Sequence, residues 1–122
     1  MLYRPGDDVG TLDDWPFDKT ERDYRILSGA PSATVRLDSV GPAHVTRRGI
    51  WRCTVGTFEC TELGDELMTL LRGRCCITDQ ATGETVSLEA ADTYMIRDGT
   101  RVTWDIQEDV TKVFFAHKAG GY

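Results

Sequence analysis

Histidine is scarce in this chain: there are two, His44 beside a Gly-Pro loop and His117 near the end of a strand-like run. No C-x-x-C pair occurs among the four cysteines (Cys53, Cys60, Cys75, Cys76), so a zinc ribbon or a thioredoxin-type redox site is excluded. Those cysteines sit in apolar, strand-like surroundings and read as small buried hydrophobes rather than a disulfide framework. Cys75 and Cys76 are neighbours on a strand and so point to opposite faces. Positive charge is also in short supply, with 14 Lys and Arg against 20 Asp and Glu, a net charge of −6. A surface of that sign repels phosphate backbones and anionic headgroups, so no nucleic-acid and no membrane partner is expected. The sharpest apolar run, Leu67, Met68, Thr69, Leu70, Leu71, falls far short of a membrane span. The opening MLYRPGDDVG turns acidic at once, unlike a signal peptide, which makes a cytoplasmic location the expectation.

What the chain does have is short alternating segments punctuated by turns. Residues 1–30 are charged and turn-rich, with Leu12, Trp15, Phe17 and Tyr24 scattered among them. They read as a lead-in that packs its aromatics on the body of the protein. TVRLD (34–38), IWRCTV (50–55) and TFECTE (57–62) read as strands, and LGD (63–65) as a turn. ELMTLLRG (66–73) and RCCITD (74–79) are expected to pair as two strands, followed by ETVSL (84–88) and TYMIR (93–97). EAAD (89–92) is a tight corner and Asp98-Gly99 a hairpin turn. RVTWDI (101–106) and VTKVFFAH (110–117) close the series as two further strands. Turn signals every eight to twelve residues mean an all-β sandwich or barrel of roughly nine or ten strands. The barrel is placed at 31–118, with a loose tail at 119–122.

Strand parity then assigns the interior. With Glu66 facing in, Met68 and Leu70 share its face while Leu67 and Leu71 point out. An outward Leu67 and Leu71 need cover, either from the N-terminal aromatics or from a second subunit, and a homodimer is expected on that ground. Val102, Trp104 and Ile106 face in. Lys112, Phe114 and Ala116 share one face of the last strand and His117 takes the other, so Lys112 and His117 cannot both enter a pocket without a bulge.

The stretch from Gly49 to Phe115 resembles the small single-domain cupins related to the cupin domain of (S)-ureidoglycine aminohydrolase. The matching features are G-I-W before a Gly-rich turn, an acidic pair before a strand ending in Gly, and an A-D corner where G-D is usual. D-G-x-x-x-T-W and V-x-K-V-F follow. The resemblance implies a jelly-roll, RmlC-like cupin β-barrel of two packed antiparallel sheets. It also implies a metal site, ordinarily three His and one Glu. Laid on that pattern, Glu66 takes the Glu position, Cys60 and Glu62 take two His positions, and Val102 replaces the last His. Cys60, Glu62 and Glu66 are therefore the candidate metal ligands for a divalent ion (Zn, Mn or Fe), with thiolate and carboxylates favouring Zn or Fe. The competing reading leaves Glu62 in water and Cys60 in the core, with no cofactor.

The expected function is a barrel pocket that takes a small polar organic molecule, such as a sugar, a heterocycle or a ureide-like compound. Trp51, Met68, Val102 and Trp104 would line it. Glu66 in an apolar cup would have its pKa raised, as a general acid or base requires, with Lys112 as its candidate catalytic partner. Two alternatives stand beside this: a metal-dependent hydrolase or aminohydrolase acting on C–N bonds, and a non-catalytic dimeric partner or regulatory protein.

Overall fold

The computed structural model describes residues 1–122, which form nine strands and one short 3-10 turn, with no α-helix. In chain order the strands are β1 (Asp13–Asp14), β2 (Arg25–Gly29), β3 (Ala33–Val40), β4 (Thr46–Cys53) and β5 (Gly56–Thr61). They are followed by β6 (Asp65–Asp79), β7 (Thr85–Glu89), β8 (Thr93–Ile96) and β9 (Arg101–His117). All pairings are antiparallel. The chain is therefore an all-β cupin-type jelly roll, and no helix in it is long and apolar enough to cross a membrane.

Two long strands, β6 and β9, hold the architecture together by serving in both sheets. Their Asp65–Leu70 and Lys112–His117 halves pair with each other, and β3, β4 and β8 extend that first sheet. Their Cys75–Asp79 and Val102–Ile106 halves pair again in the second sheet, which β2, β5 and β7 complete. Between the halves the register slips at Leu70, Arg72 and Arg74, and both strands turn the corner together. Gly73 makes this possible. It has φ +89°, and a Cβ there would lie 2.2 Å from the Asp109 carbonyl oxygen. This corrects the expectation of four separate strands: 66–73 and 74–79, expected to pair, are one bent strand, and so are 101–106 and 110–117.

The corner closes one end of the barrel, and both ends of each long strand meet at the other. Within the core, Met68, Leu70, Val102, Trp104 and Ile106 are buried as parity requires. The punctuation is where the sequence puts it: Gly64 and Gly99 have positive φ, and Ala91 in the 89–92 corner has φ +79°.

The lead-in is anchored at several points. The Trp15 N–H donates to the Ala33 carbonyl at 2.9 Å, and Phe17 stacks on Tyr24 with ring centres 4.6 Å apart. Arg101 donates to the Arg22 and Asp23 carbonyls at 3.2 and 2.7 Å, which pins this stretch to the barrel rim. Residues 119–122 are held rather than loose. The Tyr122 N–H donates to the His44 carbonyl at 3.0 Å, and the Arg47 guanidinium lies 3.6 Å from the centre of the Tyr122 ring. On the outer face, Leu71 is covered, sharing a crevice with Leu2, Tyr3, Val9 and Ile50. Leu67 is not: it is 48% exposed, in register with Met95 and Phe115, each 51% exposed. The expectation of a second subunit rests on that row.

Candidate functional site

The open end of the barrel holds a cup walled by Trp51, Phe58, Trp104 and Phe114. Its floor is an ion pair. Lys112 leaves β9 opposite Leu70, and Glu66 leaves β6 opposite Ala116. Four residues of strand, roughly 13 Å, separate their attachment points, and the two long side chains close that gap along the barrel axis. The Lys112 ammonium donates to Glu66 Oε2 at 2.5 Å. It also lies 4.7 Å from the Trp51 ring centre and 4.9 Å from that of Trp104, so the indole faces carry part of its charge. Both side chains are nearly buried, at 6% and 12% exposure.

A second carboxylate stands beside this pair. Glu62 Oε1 accepts from Trp104 Nε1 at 3.1 Å and from the Cys60 thiol at 3.5 Å, while Oε2 lies 3.6 Å from Arg22 Nη1. The Cys60 and Glu62 side chains meet because residues two apart on a strand share a face. Burial, and then the adjacent Glu62 charge, push the Cys60 thiol well above its ordinary pKa, so it stands here as a neutral donor.

These observations bear on the metal expected from the resemblance. Zinc and iron bind thiolate, and the Cys60 thiol is here engaged as a donor to Glu62. Glu62 is engaged by Arg22 and Trp104, and Glu66 by Lys112. His44 and His117 are both exposed, and Val102 is packed in the core. No three His, Cys, Asp or Glu side chains converge as a ligand set. The donor set does not fit a cupin metal centre, and no step is derived through one.

Of the residues expected to line the pocket, Trp51, Trp104, Glu66 and Lys112 do so together with Cys60 and Glu62. Met68 and Val102 do not: they are packed in the core, at 2% and 1% exposure, and present no surface to the cup. Sequence reasoning missed Trp15, Arg22, Tyr24, Arg47 and Tyr122, which complete the wall. They come from the lead-in, from the start of β4 and from the tail, where no periodicity marks a face. The cup itself is narrow, with a cavity volume of about 40 Å³. That is room for roughly three water-sized groups.

Comparison with known proteins agrees with this architecture. None of the curated proteins matches the chain. Among solved structures, the Clostridium difficile EutQ protein superposes with a TM-score of 0.65 at 15% identity, over 86% of this chain and 82% of that one. A putative ethanolamine utilization protein Q from Salmonella typhimurium LT2 gives 0.62 at 20% identity, over 72% and 71%. A cupin-like protein from Thermotoga maritima gives 0.67 at 11% identity, over 95% and 86%. The likeness at these identities is one of fold. The family model described as the EutQ-like cupin domain matches residues 40–114, well over half of the sequence, and the chain belongs to that family of cupins.

Proposed function

We propose that this barrel is a binding module for a small polar organic molecule whose amide-like or ureide-like tip enters the cup. The observation that carries the reading is the Lys112–Glu66 pair at the floor of a solvent-reachable aromatic cup. A buried ion pair is a poor source of stability, because desolvation of both charges offsets most of their attraction. Its position fits recognition better. The ammonium offers donors and the carboxylate offers an acceptor, which together complement the C=O and N–H edge of an amide. Such an edge is three heavy atoms (O, C and N), and the cup has room for about three. The indole walls supply flat apolar surface on either side of a planar group.

The chemistry open to the pair without metal is proton transfer, as isomerisation, elimination or hydrolysis requires, with Glu66 and Lys112 as the exchanging groups. Metal-dependent attack on a C–N bond, the activity carried by the ureidoglycine resemblance, draws no support from a Cys60 engaged by Glu62 and a Glu62 engaged by Arg22.

The test is calorimetric titration with succinamide, a neutral molecule with an amide at each end. A double variant, Glu66→Leu with Lys112→Met, removes both charges at once and leaves neither buried alone. Succinamide should bind the native protein and lose about tenfold or more in affinity in the double variant. Equal affinity in the two proteins would refute the reading.

A further inference from the structure

Above the cup the barrel opens into a wider vestibule of about 370 Å³. It is charged against the trend of the molecule. In a chain of net charge −6, its lining carries Lys19, Arg22, Arg47 and Lys118 against one carboxylate, Glu21. Of the four cations only Arg22 is paired with a carboxylate, Glu62, at 3.6 Å. The others are held on aromatic faces or on backbone: Lys19 lies 4.5 Å from the Trp15 ring centre, Arg47 stacks on Tyr122, and Lys118 donates to the Gly121 carbonyl at 3.0 Å. Burial, and then the nearby charge of Arg22, hold the Arg47 guanidinium below its ordinary pKa, which marks a cation short of a counter-charge. On the wall shared by cup and vestibule, the Tyr122 hydroxyl is buried without a hydrogen-bond partner.

We propose that the vestibule binds the oxyanion end of the ligand whose polar tip occupies the cup, so that the molecule recognised is a small organic acid or phosphate ester. This rests on the cup reading above and extends it to the other end of the ligand. Three unpaired cations between low-dielectric aromatic walls focus a positive potential at the entrance. The Arg47 fork matches a carboxylate or a phosphate in two-point geometry. Trp15, Lys19, Glu21, Arg22, Lys118 and Tyr122 lie outside the 40–114 stretch that the family model matches, and Arg47 and Leu63 lie inside it, so the vestibule is built where the two flanks meet the barrel.

The experiment compares succinamate with succinamide, which share the amide tip and differ by one charge at the far end. A phosphate arm uses 2-acetamidoethyl phosphate and inorganic phosphate. Succinamate should bind at least about tenfold more tightly than succinamide at low salt, with the advantage shrinking as salt is raised through about 0.3 M. Arg47→Gln, and separately Lys19→Gln with Lys118→Gln, should pull the succinamate-to-succinamide affinity ratio toward one. Tighter binding of the phosphate ester than of succinamate assigns the site to phosphate esters, and the reverse order assigns it to carboxylates. Equal affinity for succinamate and succinamide overturns the vestibule while leaving the cup in place. A charge advantage that survives the Glu66→Leu, Lys112→Met variant, with no succinamide binding in any protein, overturns the cup and keeps the vestibule. Binding of none of the four probes overturns both.

Discussion

The closed and open ends of this barrel are cut from the same two strands, yet they are built on opposite principles. Around the corner at Gly73 the inward residues are Leu70, Cys75, Ile106 and Val110, joined by Cys53 from β4, and every one of them is at most 1% exposed. At the other end Glu66 turns inward, Lys112 reaches up from its place opposite Leu70 to meet it, and the loop after β5 adds Glu62. Trp104 marks the boundary, with its ring in the core and its N–H on Glu62. The difference shows where stability and chemistry reside. The closed end is dry and close-packed, so substitutions there should act on folding. The open end keeps paired charges next to solvent, where they contribute little net stability and are free to meet a ligand.

The sharpest way to break the comparison is at the corner. Gly73→Ala adds a Cβ facing the Asp109 carbonyl at 2.2 Å, in a left-handed conformation that only glycine adopts without strain. Neither backbone can yield without undoing the bend shared by β6 and β9. We expect a loss of about 4 kcal/mol or more in urea unfolding, or no folded protein. Gly83 is the control. It has φ +75° at the open turn after β6, but a Cβ there meets nothing within 4 Å, so Gly83→Ala should cost only about 1 kcal/mol. Equal costs at the two sites would mean that the corner is not what holds the two sheets together.

The next test is at the open end. Lys112→Met strands the Glu66 carboxylate in the cup and should cost about 3 kcal/mol. Adding Glu66→Leu should restore most of that loss, because the remaining walls are already aromatic. The urea midpoints of the two single variants and the double variant measure the coupling. A double variant no more stable than Lys112→Met would make the pair a structural necessity, and the contrast between the two ends would fall.

How much of this was readable beforehand follows the same division. The alternation of Val102, Trp104 and Ile106 and the Asp98-Gly99 turn put the core and the fold class within reach. The length of β6 and β9 was not readable, because a shared bend consumes residues in register slips, and Gly73 and Gln107–Asp109 then look like the ends of strands. Within the site, Glu66 is the anchor and Trp104 follows from the alternation of its strand, whereas parity leaves Lys112 and His117 as alternatives, of which Lys112 is the inward one. Met68 and Val102 share the inward face but are covered by their neighbours, because parity gives a face and not its exposure. Arg22, Arg47 and Tyr122 depend on how the lead-in and tail dock, a long-range packing outcome that local pattern does not encode. The metal expectation came from positions in a motif, and it missed that Arg22 would arrive from outside the motif to take Glu62.

The smallest effect is spread over the closed end and should appear only in alkali. Burial, partly offset by the Lys112 charge, pushes the Cys53 and Cys75 thiols up to about 12 from an ordinary 9.0. A raised folded pKa means that the unfolded chain gives up these protons first. The stability tied to each thiol is therefore fully present below pH 9 and drains away as pH climbs through the folded value. By pH 10 the loss should be about 1 kcal/mol per thiol. Unfolding midpoints measured from pH 8 to pH 10.5 should fall, and Cys75→Ala should be less stable throughout but have a shallower slope. Lys112→Met removes the one nearby charge that favours these thiolates, but both thiols already keep their protons in the folded protein through pH 10.5, so the slope over this range should stay the same. A native profile that stays flat from pH 8 to pH 10.5 would mean that Cys53 and Cys75 ionise as readily folded as unfolded, and that the closed end is not the dry, thiol-burying half of the comparison.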